Sequence, residues 1–332
     1  MDSYEVISRV INFNKPPRIG FNFEQIGVSD YLYVGNHILL KKVDPHASGK
    51  ILLNENLVDE FGTIWLKRTN LRQIYIIPVK PVLNTWDEFK SFTFPDPNDP
   101  ELYKGVMEKI KGNKGKFVFA KIPGIFQRVR FLRGFENAML DFFLYPDKLK
   151  SLIDLVLEYI IGMLENYKKF DGIHGIRMEE DWGSQAQPFI SHSLFKEFFL
   201  EAYKKLVRFV HLNGWYFCMH SDGKINIYMD DFIDAGVDII GLEQPVVVGI
   251  KEISRYKGKV CFEGSVDTQF SLPTDDYDLI RREAKEILEN WCTKDGGFIA
   301  VCNHGSYLGV KKKSIECAYE AFRDYDIIRC RD

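Results

Sequence analysis

From about residue 115 to residue 302 the chain alternates short apolar runs with longer stretches of helical periodicity, and that alternation leaves few folds open. A strand that reads as a continuous apolar run must be covered on both faces, as happens when crossover helices pack on a parallel sheet. Six such runs stand in this stretch: Lys116–Ile122, Gly172–Met178, Trp215–His220, Val237–Leu242, Val260–Glu263 and Gly297–Cys302. Each is rich in β-branched or aromatic residues. Helical segments separate them. Asp147–Phe170 begins beside Pro146, which suits a first helical turn. Ser191 is placed to cap a helix that runs to about Asn213 and stops at Gly214. Asp275–Trp291 and Lys312–Tyr325 follow the same logic. Upstream, Arg18–Phe23 and Asp30–Val34 supply two more strands, eight in all. The pattern predicts an α/β fold: one (β/α)8 TIM barrel spanning residues 1–332 as a single domain, with an N-terminal extension. Glu60–Val79 alternates around a turn and predicts an inserted β-hairpin. The linker-like Phe94–Pro100 (FPDPNDP) is too short to mark a boundary.

Composition agrees. A length of 332 residues with 45% hydrophobic content supports one large core. The formal charge of −3, from 44 basic and 47 acidic residues, gives no global attraction for nucleic acid or anionic lipid. No apolar run is long enough to span a membrane, and MDSYEVISRV lacks the apolar core of a signal peptide, so a cytoplasmic location is expected. The cysteines Cys218, Cys261, Cys292, Cys302, Cys317 and Cys330 are scattered without a CxxC pair and read as reduced thiols.

The residues capable of chemistry gather at one end of the predicted strands. Glu179, Glu180 and Asp181 follow Gly172–Met178; His220 and Asp222 end Trp215–His220; Glu243 ends Val237–Leu242. Glu263 and Asp267 end Val260–Glu263, and Cys302 and His304 end Gly297–Cys302. In a barrel these C-terminal strand ends line one mouth, where active sites lie. Any one of these residues is as readily a loop cap. Five consecutive strands ending this way point to a site. Trp182 and Phe189, beside the mouth, are candidates to hold an aromatic substrate.

On these residues the chain resembles the uroporphyrinogen decarboxylase superfamily, and its zinc-dependent methyltransferase branch in particular. MEEDWGSQ (178–185) with Ser191 and LFKEFF (194–199) looks like the family's DDxGxQ segment and the following helix. HSDG (220–223) falls where the methyltransferase branch carries HxCG, and GLEQP (241–245), FEGSVD (262–267) and CNHG (302–305) match in order and spacing. RVINFNKPPRIGFN (9–22) and DEFGTIW (59–65) look like the opening of methyltransferase-like members, and the arginine-rich opening of true decarboxylases is absent.

The resemblance implies a methyltransferase working between a small, methoxylated substrate and a corrinoid, cobalamin carried on a separate partner protein. Carried over, the zinc ligands become His220, Asp222 in place of a cysteine, Glu243, and His304 in place of the last cysteine, with Cys302 the alternative. Loss of both thiolates gives a harder shell, a stronger Lewis acid suited to an ether or hydroxyl oxygen. Asp181 or Glu180 would orient substrate or shuttle a proton, and Gln185 of the DDxGxQ-like segment would bind substrate with Trp182. The rival reading is a metal-free decarboxylase, with Arg128, Arg130, Arg177 and His304 holding carboxylates and supplying a proton. A third is a barrel that binds a ligand without chemistry. A homodimer is a candidate assembly. DPHASG (44–49) matches the DxHxxG pattern of corrinoid proteins but lacks its context and reads as coincidence. His174, within a strand, reads as a satisfied core histidine.

Overall fold

The computed structural model describes residues 1–42, 56–69, 74–303 and 310–326. Eight parallel strands form a nearly closed TIM barrel: β1 (Gly20–Phe23), β2 (Tyr31–Val34), β3 (Phe117–Pro123), β4 (Gly175–Asp181), β5 (Tyr216–Asp222), β6 (Ile239–Leu242), β7 (Cys261–Gly264) and β8 (Phe298–Val301). They pair in sequence order from β2 to β8, and β8 returns to β1. Between β1 and β2 the chain makes a short antiparallel strand, Val28–Ser29, on the edge of β1. Asp30 spans this seam: its N–H donates to the Phe21 carbonyl at 2.8 Å, and its carboxylate accepts from the Phe21 N–H and from Arg18.

The strand pleat sorts side chains into two cores. Val118, Ala120 and Ile122 of β3 face outward and meet the helix layer in the larger cluster. Phe117 and Phe119 face inward with Tyr31, Cys218, Ile239, Cys261 and Ile299, packing the floor of the barrel. The N-terminal extension plugs that floor. Helix Ser3–Ile11, capped by Asp2, buries Val6, Ile7, Val10 and Ile11 among the inward residues. Gly297 is required at this contact: its φ is +87°, its N–H donates to the Val10 carbonyl, and a Cβ would lie 2.1 Å from the Phe13 ring.

Two expectations need correction. The insertion is larger than a hairpin: Ile64–Thr69 and Ile74–Lys80 pair as expected, but Asn56–Val58 and Lys41–Lys42 extend them to a four-stranded antiparallel sheet. The helix expected from Ser191 to Asn213 is divided into His192–Phe198 and Leu200–Leu212 at Phe199, whose φ of −120° leaves the helical range. The segment around Pro97, too short to mark a boundary, is packed: the Pro97 carbonyl accepts from Tyr103 and Asn166.

Candidate metal centre and barrel mouth

Above the apolar floor the inward positions turn polar. On β4 the inward residues are Arg177, Glu179 and Asp181; on β5 they are Cys218, His220 and Asp222. Ladder register places Lys121, Arg177, Cys218, Ile239 and Cys261 in one row, and Glu179, His220, Gly241 and Glu263 in the row above. His220 and Glu263 are thus two strands apart, with Gly241 between them. A Cβ at Gly241 would lie 3.2 Å from His220 Nδ1 and 3.3 Å from Glu263 Oε1. Glycine leaves the space in which these side chains approach. Glu243, two residues beyond Gly241 on the same face, completes a buried cluster: one ligand atom from each of His220, Glu243 and Glu263 lies within 4.8 Å of the others.

The two carboxylates are held by neighbours. Asn303 donates from its backbone N–H (3.1 Å) and side-chain amide (2.7 Å) to Glu243, and its amide also reaches Glu263 Oε1 at 3.3 Å. Asn22 donates to the Asn303 carbonyl oxygen at 2.8 Å, fixing the amide's orientation. Arg177 donates to Glu263 Oε1 at 2.7 Å and to Glu179 Oε1 at 2.9 Å. Glu263 Oε2 is buried and accepts no hydrogen bond among the described residues. A histidine nitrogen and two carboxylates oriented by an outer ring of donors fit a divalent ion such as zinc, and the buried Oε2 is a ready donor atom.

Through His220 the cluster borders a cavity of about 440 Å³, lined also by residues including Tyr33, His37, Lys121, Arg177, Glu179, Asp181 and Asp222. Burial works against charge on Glu179, yet Arg177, His220, Lys121 and His37 around it hold its carboxyl well below the usual range. Asp181 is half-exposed at the rim, where it accepts from Gln127 Nε2 at 3.0 Å.

The sequence-based candidates are distributed unevenly around this cavity. His220, Arg177, Asp181 and Asp222 line it, and Glu243 is fully buried behind it in the cluster with His220. Asp222 is 3.8 Å from His220 Nε2, but Glu263 takes the third place in the cluster. His304 lies outside the described residues, as does DPHASG. Glu180 borders the cavity, but its pleat position turns it toward the helix layer. It accepts from the N–H groups of Phe126 (2.8 Å) and Gln127 (2.9 Å) at the start of helix Ile125–Arg133 and from Tyr203. Trp182 does not reach the mouth. It is fully buried between helices, stacked on Phe126 at 4.3 Å and donating to Tyr203. Gln185 is exposed on the loop after β4 and is not part of the cavity wall. Arg128 is buried in an ion pair with Asp59 at 2.7 Å and stacks on Phe61, facing the inserted sheet. Phe189 packs against Arg130. His174 accepts the Val118 N–H at 2.9 Å, near the floor. Lys121, His37, Asn303 and the ligand role of Glu263 escaped the sequence reading. For Lys121 and Glu263 the signal was present: each lies two residues after an inward apolar residue, Phe119 and Cys261.

Comparison with known proteins agrees with this architecture. The family model of uroporphyrinogen decarboxylase (URO-D) matches residues 78–325, and the chain belongs to that family. No curated protein matches it. Among solved structures, a methyltransferase from Methanosarcina mazei has a TM-score of 0.60 at 19% identity, covering 80% of this chain and 76% of its own. A B12-independent methionine synthase from Shewanella sp. W3-18-1 has a TM-score of 0.47 at 10% identity, covering 97% and 86%. At 19% identity the likeness to the Methanosarcina protein is one of fold. Among the described residues no helix is long and apolar enough to cross a membrane.

Proposed function

We propose that this protein is a methyltransferase that moves a methyl group between a small substrate and a corrinoid carried by a separate protein, using zinc at the mouth of the barrel. The observation that carries the proposal is the convergence of His220, Glu243 and Glu263. Family membership and the methyltransferase neighbour support it.

His220, Glu243 and Glu263 would hold the ion, which when bound supplies Lewis-acid polarisation of the heteroatom that carries the methyl group. The rest falls to the chain's own groups. Asn303 and Arg177 keep the two carboxylates aimed inward, so the ligand set is formed before substrate arrives. With one nitrogen and two oxygens and no thiolate, the set favours an oxygen substituent over a thiol. Asp181, held by Gln127 at the rim, is placed to orient substrate or take up a proton.

The carboxy-lyase alternative calls for an excess of cations. The cavity instead carries Glu24, Glu179, Asp181 and Asp222 against Lys121 and Arg177, and Arg177 is already paired twice. That balance is wrong for a polycarboxylate. The test is to incubate zinc-replete protein with cob(I)alamin and a panel of small methoxylated compounds. Methylcobalamin should appear in the absorption spectrum, and His220→Ala should abolish it. Turnover of uroporphyrinogen, with no methylcobalamin from any donor, would establish the decarboxylase instead.

A further inference from the structure

Across the barrel from the metal cluster stands a differently built wall. Strand β2 is four places from β6 around the ring, and β3 adjoins it. Lys121 is the one charged residue on the inward face of β3, two residues beyond Phe119. Its Nζ sits 4.7 Å from the centre of the Tyr33 ring. Among the described residues its ammonium makes no hydrogen bond or ion-pair contact, and the carboxylates of Glu179 and Glu24 act on it only at longer range. His37 follows β2 through the turn at Gly35, lines the same cavity, and likewise has no hydrogen-bond partner among the described residues. Burial, joined by Lys121, Arg128 and Arg177 and opposed by Glu179, pushes its pKa down to about 4. At neutral pH the ring therefore offers an uncharged N–H. Arg177, the other permanent cation of the cavity wall, is engaged by Glu179 and Glu263. The Lys121 ammonium is left as a partly buried cation, with a neutral donor nearby, facing open space.

We propose that Lys121 and His37 form a carboxylate subsite, and that the substrate is a small monocarboxylic acid. Its carboxylate takes the Lys121 ammonium and the His37 N–H, while its methyl-bearing heteroatom lies toward His220, Glu243 and Glu263. This rests on the methyl-transfer reading above and adds the substrate class. Glu179 and Glu24 act on the Lys121 ammonium without touching it, so a substrate carboxylate gains there a charge-assisted contact that no side chain makes. One ammonium and one neutral donor give contacts for a single carboxylate and no more, because Glu179 and Glu24 already share the field of Lys121. A phosphate dianion would meet Glu179, Asp181 and Asp222 with too little compensation. At about 440 Å³ the cavity is of the size that takes a small molecule.

The test uses zinc-replete, full-length protein and matched pairs of acids and primary amides: acetate and acetamide, benzoate and benzamide, 4-methoxybenzoate and 4-methoxybenzamide. Binding is read by equilibrium dialysis. At least one acid should bind about tenfold or more tighter than its amide, as loss of a charge-assisted contact predicts. In Lys121→Met that advantage should vanish, with amide binding and zinc content unchanged, and Lys121→Arg should keep part of it. The proposal is overturned if no acid exceeds its amide, if the advantage survives in Lys121→Met, or if inorganic phosphate binds more tightly than every acid in a Lys121-dependent way. Should Lys121→Met fail to fold, the wild-type comparison decides alone. Failure of the methyl-transfer reading registers separately, as absent zinc or absent methylcobalamin with the acid preference intact.

Discussion

Glu179 and Glu180 are adjacent on β4, and the pleat gives them opposite surroundings. Glu179 faces the cavity cations and stays ionised. Glu180 faces the helix layer, where burial outweighs two backbone N–H groups, Arg130 and Tyr203 and pushes its pKa up to about 7. In the unfolded chain the group titrates near 4.5. Between these values the folded protein keeps a proton that the unfolded chain has lost. The group's contribution is therefore fully present below pH 4.5 and declines as pH rises to about 7. The span corresponds to as much as about 3 kcal/mol. In Glu180→Gln this titration is absent, so the stability of wild type relative to the variant should fall by about that amount from pH 4.5 to 8. Urea denaturation at matched pH measures it, and a difference that stays flat would show that Glu180 remains ionised throughout. This residue also marks where sequence reading stops. A run of acids at a strand end announces a mouth, but which acid faces it depends on the parity of the pleat. Parity could be counted from Arg177. The helix N-terminus that captures Glu180 could not be.

At the scale of elements, the least legible part is the insertion. Its alternating residues announced a hairpin, but Asn56–Val58 and Lys41–Lys42 are too short to carry a pattern. What fastens the sheet to the barrel is a buried charge. Asp59 accepts from the Phe61 and Thr63 N–H groups and from Trp65 Nε1, and pairs with Arg128 on helix Ile125–Arg133. The same helix presents its first N–H groups to Glu180, so insertion, helix and β4 form one connected unit. Arg128 was read as a substrate clamp because sequence shows a cluster of arginines and not the partner of each. Arg133 is likewise buried against Asp141 at 2.7 Å. Arg128→Met strands the Asp59 carboxylate in the interior and should cost about 3–5 kcal/mol. Adding Asp59→Asn should recover a substantial part of this, because the uncompensated charge is then gone. A double-mutant cycle by urea denaturation gives the coupling, and a value under about 0.5 kcal/mol would show that the pair does not fasten the insertion. Phe199 offers a similar lesson: apolar periodicity runs straight through it, and the helix yields there as the ring packs against Trp182 and Phe126.

At the scale of the whole molecule, alternation in the sequence was enough to read the ring of eight strands, because each strand and helix carries its own local pattern. The meeting point of side chains carries no such local mark. It follows from stagger: His220, Gly241 and Glu263 fall in register on β5, β6 and β7, and the empty position at Gly241 lets its neighbours converge. Asp222, chosen by its alignment with a cysteine, lies two residues further up β5 and toward the rim. The three ligands are far apart in sequence, so only the folded barrel assembles them, and zinc should bind the native state with little affinity for the unfolded chain. At a free zinc concentration 100 times Kd the stabilisation is about 2.7 kcal/mol. For a chain of this size that corresponds to a rise in Tm of about 4 °C. Scanning calorimetry of metal-stripped protein with and without zinc measures the rise. Glu263→Gln and His220→Ala should remove it, while Asp222→Asn should retain most of it, since Asp222 stands outside the cluster. The reverse pattern, with the rise lost in Asp222→Asn and kept in Glu263→Gln, would move the ion toward the rim and make Glu263 a buried counter-ion for Arg177.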